Sequence, residues 1–144
     1  MGTVELSKSV ALAAGPDVVW DFVSDFAGFA AWQPHIDSVE MQPNGDRKVF
    51  FARGDTKLDR VTSRDDGAMT FTYELVPGQP GPPGAPPIQI AATFTVSSAE
   101  RGSEVEYAIT AEVPDPMEDM ARQGIGGDID GALAGLLEKF GESA

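Results

Sequence analysis

Three side chains in this chain are of types that move protons or stabilise negative charge. His35 is the single histidine, and its ordinary pKa near neutrality suits a general base or acid beside a carbonyl group. Arg60 shares the strand parity of Leu58, and an inward guanidinium would stabilise a developing oxyanion. Tyr73 lies on an apolar strand face, where its phenol can donate a hydrogen bond or act as an acid. The three residues predict acid–base chemistry on a carbonyl-bearing molecule.

Each of these residues also has a structural interpretation that the sequence leaves open. His35 at the start of a strand can be solvent-exposed or can cap a backbone group. Arg60 can form a salt bridge with Asp59 or with a carboxylate of a neighbouring strand, because a buried unpaired guanidinium is costly. Tyr73 can pack in the core with its hydroxyl satisfied. Asp37 and Asp59 are candidates to orient His35 or Arg60.

Apolar and aromatic side chains with inward parity could line a cavity next to these groups. The predicted substrate-binding residues are Trp32, Phe51, Met69, Phe71, Phe94, Tyr107, Met120, Ile125 and Ile129. The same residues can instead fill a hydrophobic core. For the C-terminal members of the set, helical spacing favours core packing over a binding role.

The elements that must position these residues follow from hydrophobic periodicity. Residues 3–12 alternate as a half-buried strand, and Pro16 then suits the first turn of a short amphipathic helix that runs to residue 26. Residues 29–32 form a second short helical piece, which Pro34 ends. Alternating patterns and turn signals then predict strands at 36–41, 48–52, 57–63, 69–75, 88–96 and 105–111. An apolar stripe from Met117 to Phe140 predicts a long C-terminal helix.

The segment 77–87 reads PGQPGPPGAPP and can be neither helix nor interior strand. Strand patterns lie on both sides of it, so we expect a loop that joins two long antiparallel strands within one domain, 1–144, and not a linker between domains.

Composition excludes several classes of site and partner. The chain has 144 residues, no cysteine and a formal net charge of −13. Disulfides and thiolate chemistry are therefore excluded, and a single histidine cannot build a zinc site. Strong negative charge argues against nucleic acid and anionic membranes as partners. Since there is neither a long apolar run nor a signal-peptide pattern, we expect a cytoplasmic protein without membrane insertion, as a monomer or homodimer.

The order of elements, together with several short motifs, resembles the helix-grip fold of the SRPBCC superfamily, which includes START lipid-transfer domains and birch-pollen-allergen proteins. The likeness is greatest to its small polyketide cyclase/dehydrase-like members. The segments that carry it are the strand 4–10, AGPDVVW at 14–20, DF at 25–26, WQPHI at 32–36, the strand with Arg60, FTY at 71–73 and the C-terminal helix.

The resemblance implies an α+β fold in which a curved antiparallel sheet wraps around the long C-terminal helix, with two short helices after the first strand. It also implies an apolar cavity for a hydrophobic small molecule. The leading hypothesis is a cofactor-independent cyclase or dehydratase, in which His35 moves a proton while Arg60 and Tyr73 hold the oxyanion. The alternatives are a non-catalytic binding or carrier protein and an interaction module with a fully packed core.

Overall fold

The computed structural model of the protein describes residues 2–25, 28–29, 33, 36–52, 54, 56–76 and 89–141. These residues form seven strands and two α-helices, and a 3-10 turn, Asp115–Met117, leads into the second helix. The elements are β1 Gly2–Leu12, α1 Pro16–Val23, β2 Ile36–Met41, β3 Arg47–Phe51, β4 Thr56–Asp65, β5 Thr70–Leu75, β6 Gln89–Ala99, β7 Gly102–Val113 and α2 Glu118–Phe140.

The described strands form one antiparallel sheet in the order β1-β7-β6-β5-β4-β3-β2. Strands that follow one another from β2 to β7 are therefore neighbours in the sheet. β1 pairs with β7 and forms one edge. β6 and β7 pair along their whole length, with Phe94 opposite Tyr107. Alternate residues of β7 are buried from Ser103 to Val113, as the period of two along a strand requires when one face is covered.

Helix α2 covers the inner face of the sheet and packs mainly against β1 and β7. The helix is 23 residues long, and its buried side chains are Ile125, Ile129, Ala132, Leu133 and Leu136. They recur at helical spacing, so one stripe of the helix faces the sheet. This arrangement of sheet and helix confirms the predicted helix-grip architecture.

Helix α1 begins at Pro16, as predicted, and buries Val19, Trp20 and Val23. Of the second predicted short helix, 29–32, only Phe29 is described, and it lies in a 3-10 turn together with Gly28. The backbone amide of Gln33 donates to the Phe29 carbonyl at 2.9 Å. The proline-rich segment predicted as a loop lies outside the described residues, as do Trp32 and His35. None of the described helices is long and apolar enough to cross a membrane.

Candidate functional site

A buried ion pair lies on the inner face of the sheet, where β3 meets β4. Arg47 and Asp59 are directly opposite each other in the register of these strands, and their relative exposures are 1% and 6%. Arg47 Nε donates to Asp59 Oδ1 at 2.9 Å, and Arg47 Nη2 donates to Asp59 Oδ2 at 2.7 Å. This two-point geometry is the strongest that arginine makes with a carboxylate, and it neutralises a charge that burial would otherwise make very costly.

Aromatic rings surround the guanidinium of Arg47. Its central carbon lies 4.4 Å from the ring centroid of Phe29 and 5.1 Å from that of Tyr73, within the range of cation–π attraction. Burial raises the pKa of the Asp59 carboxyl, Arg47 lowers it by hydrogen bonding and by its charge, and nearby Asp46 raises it again, with a net upward shift. The pair is thus held in a largely water-free pocket.

Two tyrosines extend this polar cluster across the sheet. The hydroxyls of Tyr73 on β5 and Tyr107 on β7 lie 2.5 Å apart. The strand between them carries the small residue Ala92 opposite Tyr73, which leaves space for the phenols to meet. Burial raises the pKa of Tyr73 to about 12, against a lowering by the charge of Arg47. Burial also raises the pKa of Tyr107, and the charges of Tyr73 and Asp128 add to the shift.

The raised pKa values mean that both phenols are protonated at neutral pH, which limits the roles they can have in a binding or catalytic site. A phenol whose pKa is raised keeps its proton, so both tyrosines serve as hydrogen-bond donors or acids and not as bases. With the positive charge of Arg47 beside Tyr73, the pair offers a preorganised partner for a carbonyl, phenol or enolate oxygen.

Phe29 joins the rings around this cluster into one aromatic wall. Its centroid lies 5.7 Å from that of Tyr73, 5.8 Å from that of Phe94 and 6.4 Å from that of Phe71. Phe94 stacks on Tyr107 at 3.9 Å. Edge and offset contacts of this kind add to the stabilisation that area burial provides.

Gln33, one helical turn after Phe29, carries a polar atom that the described protein leaves unsatisfied. The residue is 1% exposed, and its Nε2 has no hydrogen-bond partner in the part of the chain that the structure describes. A buried amide donor without a partner costs about 1–3 kcal/mol. Such an atom in a native protein calls for an explanation.

A cleft of about 220 Å³ lies between the first half of α2 and the ends of β6 and β7. Asp128 is the single charged residue among the described residues that line it. The charge of Asp128 contributes to the raised pKa of the Tyr107 phenol, after burial and Tyr73. The other lining residues are Ile90, Ala111, Val113, Met117, Met120, Ala121, Gly124 and Ile125.

The inward orientation expected for Arg60 is wrong. Its side chain is 47% exposed, and its Nη2 donates to Asp46 Oδ2 at 3.0 Å. In the register of β4 with β5, Arg60 lies opposite Glu74, whereas Val61 lies opposite the inward Tyr73. The odd-numbered residues of this part of β4 therefore face the core, and Arg60 faces away. The contact of Arg60 agrees with the alternative interpretation, a salt bridge with a neighbouring carboxylate, which here is Asp46.

The structure brings several of the other predicted residues together. Tyr73 and Tyr107 share a hydrogen bond, and Phe71 and Phe94 stack beside them at 5.7 Å. Of the remaining predicted substrate-binding residues, Met120 and Ile125 line the cleft, Ile129 is fully buried on the sheet-facing side of α2, and Phe51 and Met69 are partly buried against the core.

Sequence reasoning missed Arg47, Phe29, Gln33 and Asp128. The sequence patterns do not single out Arg47, because the predicted strand begins at Lys48, one residue too late, and leaves the arginine outside it. Extending the alternation of Val49 and Phe51 back by one step would have placed it on the inner face. For Gln33 and Asp128 no local signal exists, since their importance lies in what surrounds them.

Solved structures similar to this chain share its fold at low sequence identity. XoxI from Bacillus cereus is 20% identical with a TM-score of 0.74, and the match covers 97% of this chain and 96% of that one. A START superfamily protein from Mycobacterium smegmatis is 17% identical with a TM-score of 0.73, over 96% and 97%. The Zhui aromatase/cyclase from Streptomyces sp. R1128 is 16% identical with a TM-score of 0.69, over 96% and 93%.

Among curated proteins, no sequence matches the chain. A family model does: residues 3–141 match the family described as polyketide cyclase / dehydrase and lipid transport. The match spans both helices and all seven strands, which confirms the resemblance to the SRPBCC superfamily seen in the short motifs. The chain therefore belongs to the polyketide cyclase / dehydrase and lipid transport family.

Proposed function

We propose that the protein binds a hydrophobic small molecule between α2 and the inner face of the sheet, with an oxygen atom of that molecule held at the tyrosine pair. The observation that carries the proposal is a polar cluster, Arg47, Asp59, Tyr73 and Tyr107, beside an aromatic wall, in a fold that also has an apolar cleft between α2 and the sheet. Specific ligand sites have this composition, in which apolar walls surround a few oriented polar groups.

The unsatisfied amide of Gln33 supports the same proposal. In an interaction module with a fully packed core, a buried donor without a partner would only lower stability. An apolar residue of similar size at this position would give a more stable protein. A ligand oxygen would supply the missing acceptor. The apolar cleft beside α2 supports the same proposal, because it leaves apolar side chains accessible to a small molecule.

The family description and the fold are compatible with this function. The family takes in both cyclase or dehydrase activity and lipid transport, two activities that share a cavity for an apolar molecule. The Zhui aromatase/cyclase and the START superfamily protein have the same fold as this chain. Because their sequence identities with it are low, the comparison shows a shared fold and nothing more.

The chain offers site-specific probes for a binding test. Met117 and Met120 line the cleft, whereas Met41 lies on β2, the strand at the other edge of the sheet. With isotope-labelled methionine methyl groups, titration with naphthylmethanol should shift the NMR signals of Met117 and Met120 and leave that of Met41 in place. Saturable shifts at the two cleft methionines support the proposal, and their absence, or equal shifts at Met41, rejects it.

The second candidate function is cyclase or dehydratase chemistry on the bound molecule. The specific observation in its favour is the neutral phenol of Tyr73 beside the charge of Arg47, because this arrangement can stabilise an enolate or alkoxide as it forms. His35 would supply the base that removes a proton next to the carbonyl. Arg60 has no role in this proposal, because its side chain is exposed on the outer face.

Mass spectrometry of the ligand separates catalysis from carriage. The protein is purified under native conditions, any co-purifying molecule is identified, and its polyketide-type precursor is then incubated with fresh protein. Catalysis predicts a product with a changed mass or ring connectivity, and a rate that falls at least about tenfold in His35→Ala and Tyr73→Phe. Recovery of an unchanged molecule identifies a carrier and rejects the catalytic candidate.

A further inference from the structure

The helix side of the cleft contains two small residues. The lining residues of α2 recur at helical spacing, so they form one stripe of the helix that faces the ends of β6 and β7. Ala121 and Gly124 are the smallest residues of this stripe, and Ala111 on β7 is the smallest on the sheet side. Because glycine has no side chain, α2 presents its backbone to the cleft at position 124.

Neither backbone conformation nor packing requires a glycine at position 124. Gly124 lies inside α2 and is not among the glycines with positive φ, so its backbone suits any L-residue. Among the described residues, no atom outside its own stretch of helix lies within 4 Å of the place that a Cβ would take. Alanine would fit there and is a better helix former. Glycine at this position therefore weakens α2 and leaves the cleft open.

The size of the cleft limits the apolar body that it can hold. Its volume is about 220 Å³, whereas an apolar cavity of about 150 Å³ already accepts benzene. At the rim, the side chain of Met120 is 67% exposed, and the flexible thioether can adapt to the shape of a ligand. The cleft therefore matches a compact body of one or two rings, and a side chain added at Gly124 would occupy part of the same space.

We propose that Gly124 determines the size of ligand that the cleft accepts, because a compact apolar body of one or two fused rings lies against the α2 backbone at this residue. A larger side chain at position 124 would take the place of the second ring. This inference rests on the proposed binding function and adds to it the size class of the ligand and the residue that sets it.

Two probes with the same polar end and different apolar bodies test the proposal: benzyl alcohol and naphthylmethanol. Each is titrated into the full-length protein by calorimetry, while the methyl signals of Met117 and Met120 report that binding is in the cleft. Wild-type protein should bind naphthylmethanol at least about tenfold more tightly, because its second ring brings four more carbon atoms out of water.

Substitutions at Gly124 should reverse this preference. Gly124→Leu should lower the affinity for naphthylmethanol at least about tenfold and that for benzyl alcohol by less than about threefold, because the leucine side chain replaces only the second ring. Gly124→Ala should act in the same direction by about threefold, while it raises the urea concentration at the midpoint of unfolding through its better helix propensity.

Gly127 provides the matched control in the same helix. It is exposed, a Cβ there would also meet nothing within 4 Å, and it is not among the described residues that line the cleft. Gly127→Ala and Gly127→Leu should raise the midpoint of unfolding as the changes at Gly124 do. Both variants should leave the two affinities within about twofold of the wild-type values.

The outcomes separate size selection from ligand binding itself. The size proposal is overturned, while binding stands, if wild-type protein binds both alcohols equally, if a folded Gly124→Ala or Gly124→Leu binds naphthylmethanol as wild type does, or if Gly127→Leu weakens it equally. If neither alcohol moves the cleft methyl signals of the wild-type protein, the binding function fails and the size proposal fails with it. Should Gly124→Leu fold poorly, the more stable Gly124→Ala decides the question, because weaker binding by a more stable protein is not caused by unfolding.

Discussion

At the scale of single residues, Arg47 and Asp59 combine a structural role with a place in the candidate site. Both are almost fully buried, and each satisfies the other through two hydrogen bonds. Removing one partner of such a pair leaves an uncompensated charge in a water-poor environment, whereas replacing both with apolar residues can be nearly neutral. The pair therefore holds the Arg47 guanidinium in the position where it contacts the ring of Tyr73.

Asp59→Asn is expected to lower the free energy of unfolding by about 3–5 kcal/mol, because it leaves the Arg47 guanidinium buried without its counter-charge. The double variant Arg47→Met with Asp59→Leu should recover much of that loss. Arg60→Met, which breaks an exposed pair with Asp46, serves as the control and should cost less than about 1 kcal/mol. Chemical denaturation measures all three. Equal losses in Asp59→Asn and Arg60→Met would contradict the buried-pair interpretation.

Gln33→Leu is expected to change stability and binding in opposite directions. Removing an unsatisfied buried donor should raise the free energy of unfolding of the ligand-free protein by about 1 kcal/mol. The same change should weaken binding of naphthylmethanol if the amide donates to the ligand oxygen. Thermal unfolding without ligand and calorimetric titration give the two values. Loss of stability together with unchanged affinity would show that the amide is purely structural.

At the scale of elements, strand register decides which side chains reach the site. One step along β4 separates Asp59, which is buried against Arg47, from Arg60, which is 47% exposed on its side chain. Because successive side chains of a strand point to opposite faces, a parity error of one residue exchanges the inner and outer sets. Arg60 was misassigned for this reason, although the strand itself was predicted correctly.

Helix α2 must dock on the sheet to form the cleft, and Ile129 is central to that contact. It is 0% exposed and packs in the core cluster. Ile129→Ala is expected to cost about 2–5 kcal/mol, because it removes buried methylene groups and leaves a cavity. Met120→Ala in the same helix is the matched control; Met120 is 67% exposed, so its loss should be much smaller. Equal destabilisation by the two changes in urea denaturation would refute this view of α2.

At the scale of the whole molecule, the two tyrosines couple global stability to alkaline pH. They are the only tyrosines in the sequence, and the pKa of each is raised in the folded state, that of Tyr73 to about 12. An unfolded tyrosine loses its proton near pH 10. Between these values the unfolded chain releases protons that the folded protein retains, so the free energy of unfolding should fall as pH rises.

The ultraviolet absorbance of tyrosinate should therefore stay absent in the folded protein as pH rises past 10, and should appear together with the loss of circular dichroism. Protein unfolded in guanidinium provides the reference and should titrate near pH 10. Tyrosinate absorbance that develops near pH 10 while the circular dichroism signal remains native would contradict the buried tyrosine pair.

Prediction from sequence succeeded for the elements, whereas the roles predicted for the site residues stay predictions. The alternation along 88–96 and 105–111 predicted the β6–β7 pair, and the apolar stripe after Met117 predicted α2, because burial of one face imposes a period on the sequence. Tyr73, Tyr107, Phe71 and Phe94 were identified from the same alternation, and the structure places them together. The errors concern Arg47 and Arg60, whose orientations depend on where a strand starts and how it pairs.

By itself the sequence determined the order of the elements, the helix-grip architecture and the family, since hydrophobic periodicity, turn residues and short motifs are local properties of the chain. Only the tertiary structure decided that Arg47 and not Arg60 faces the core, that its charge is matched by Asp59, that Gln33 lacks a partner and that Asp128 faces the cleft. Each of these depends on groups that are distant in sequence and meet only when strand register and helix docking are set.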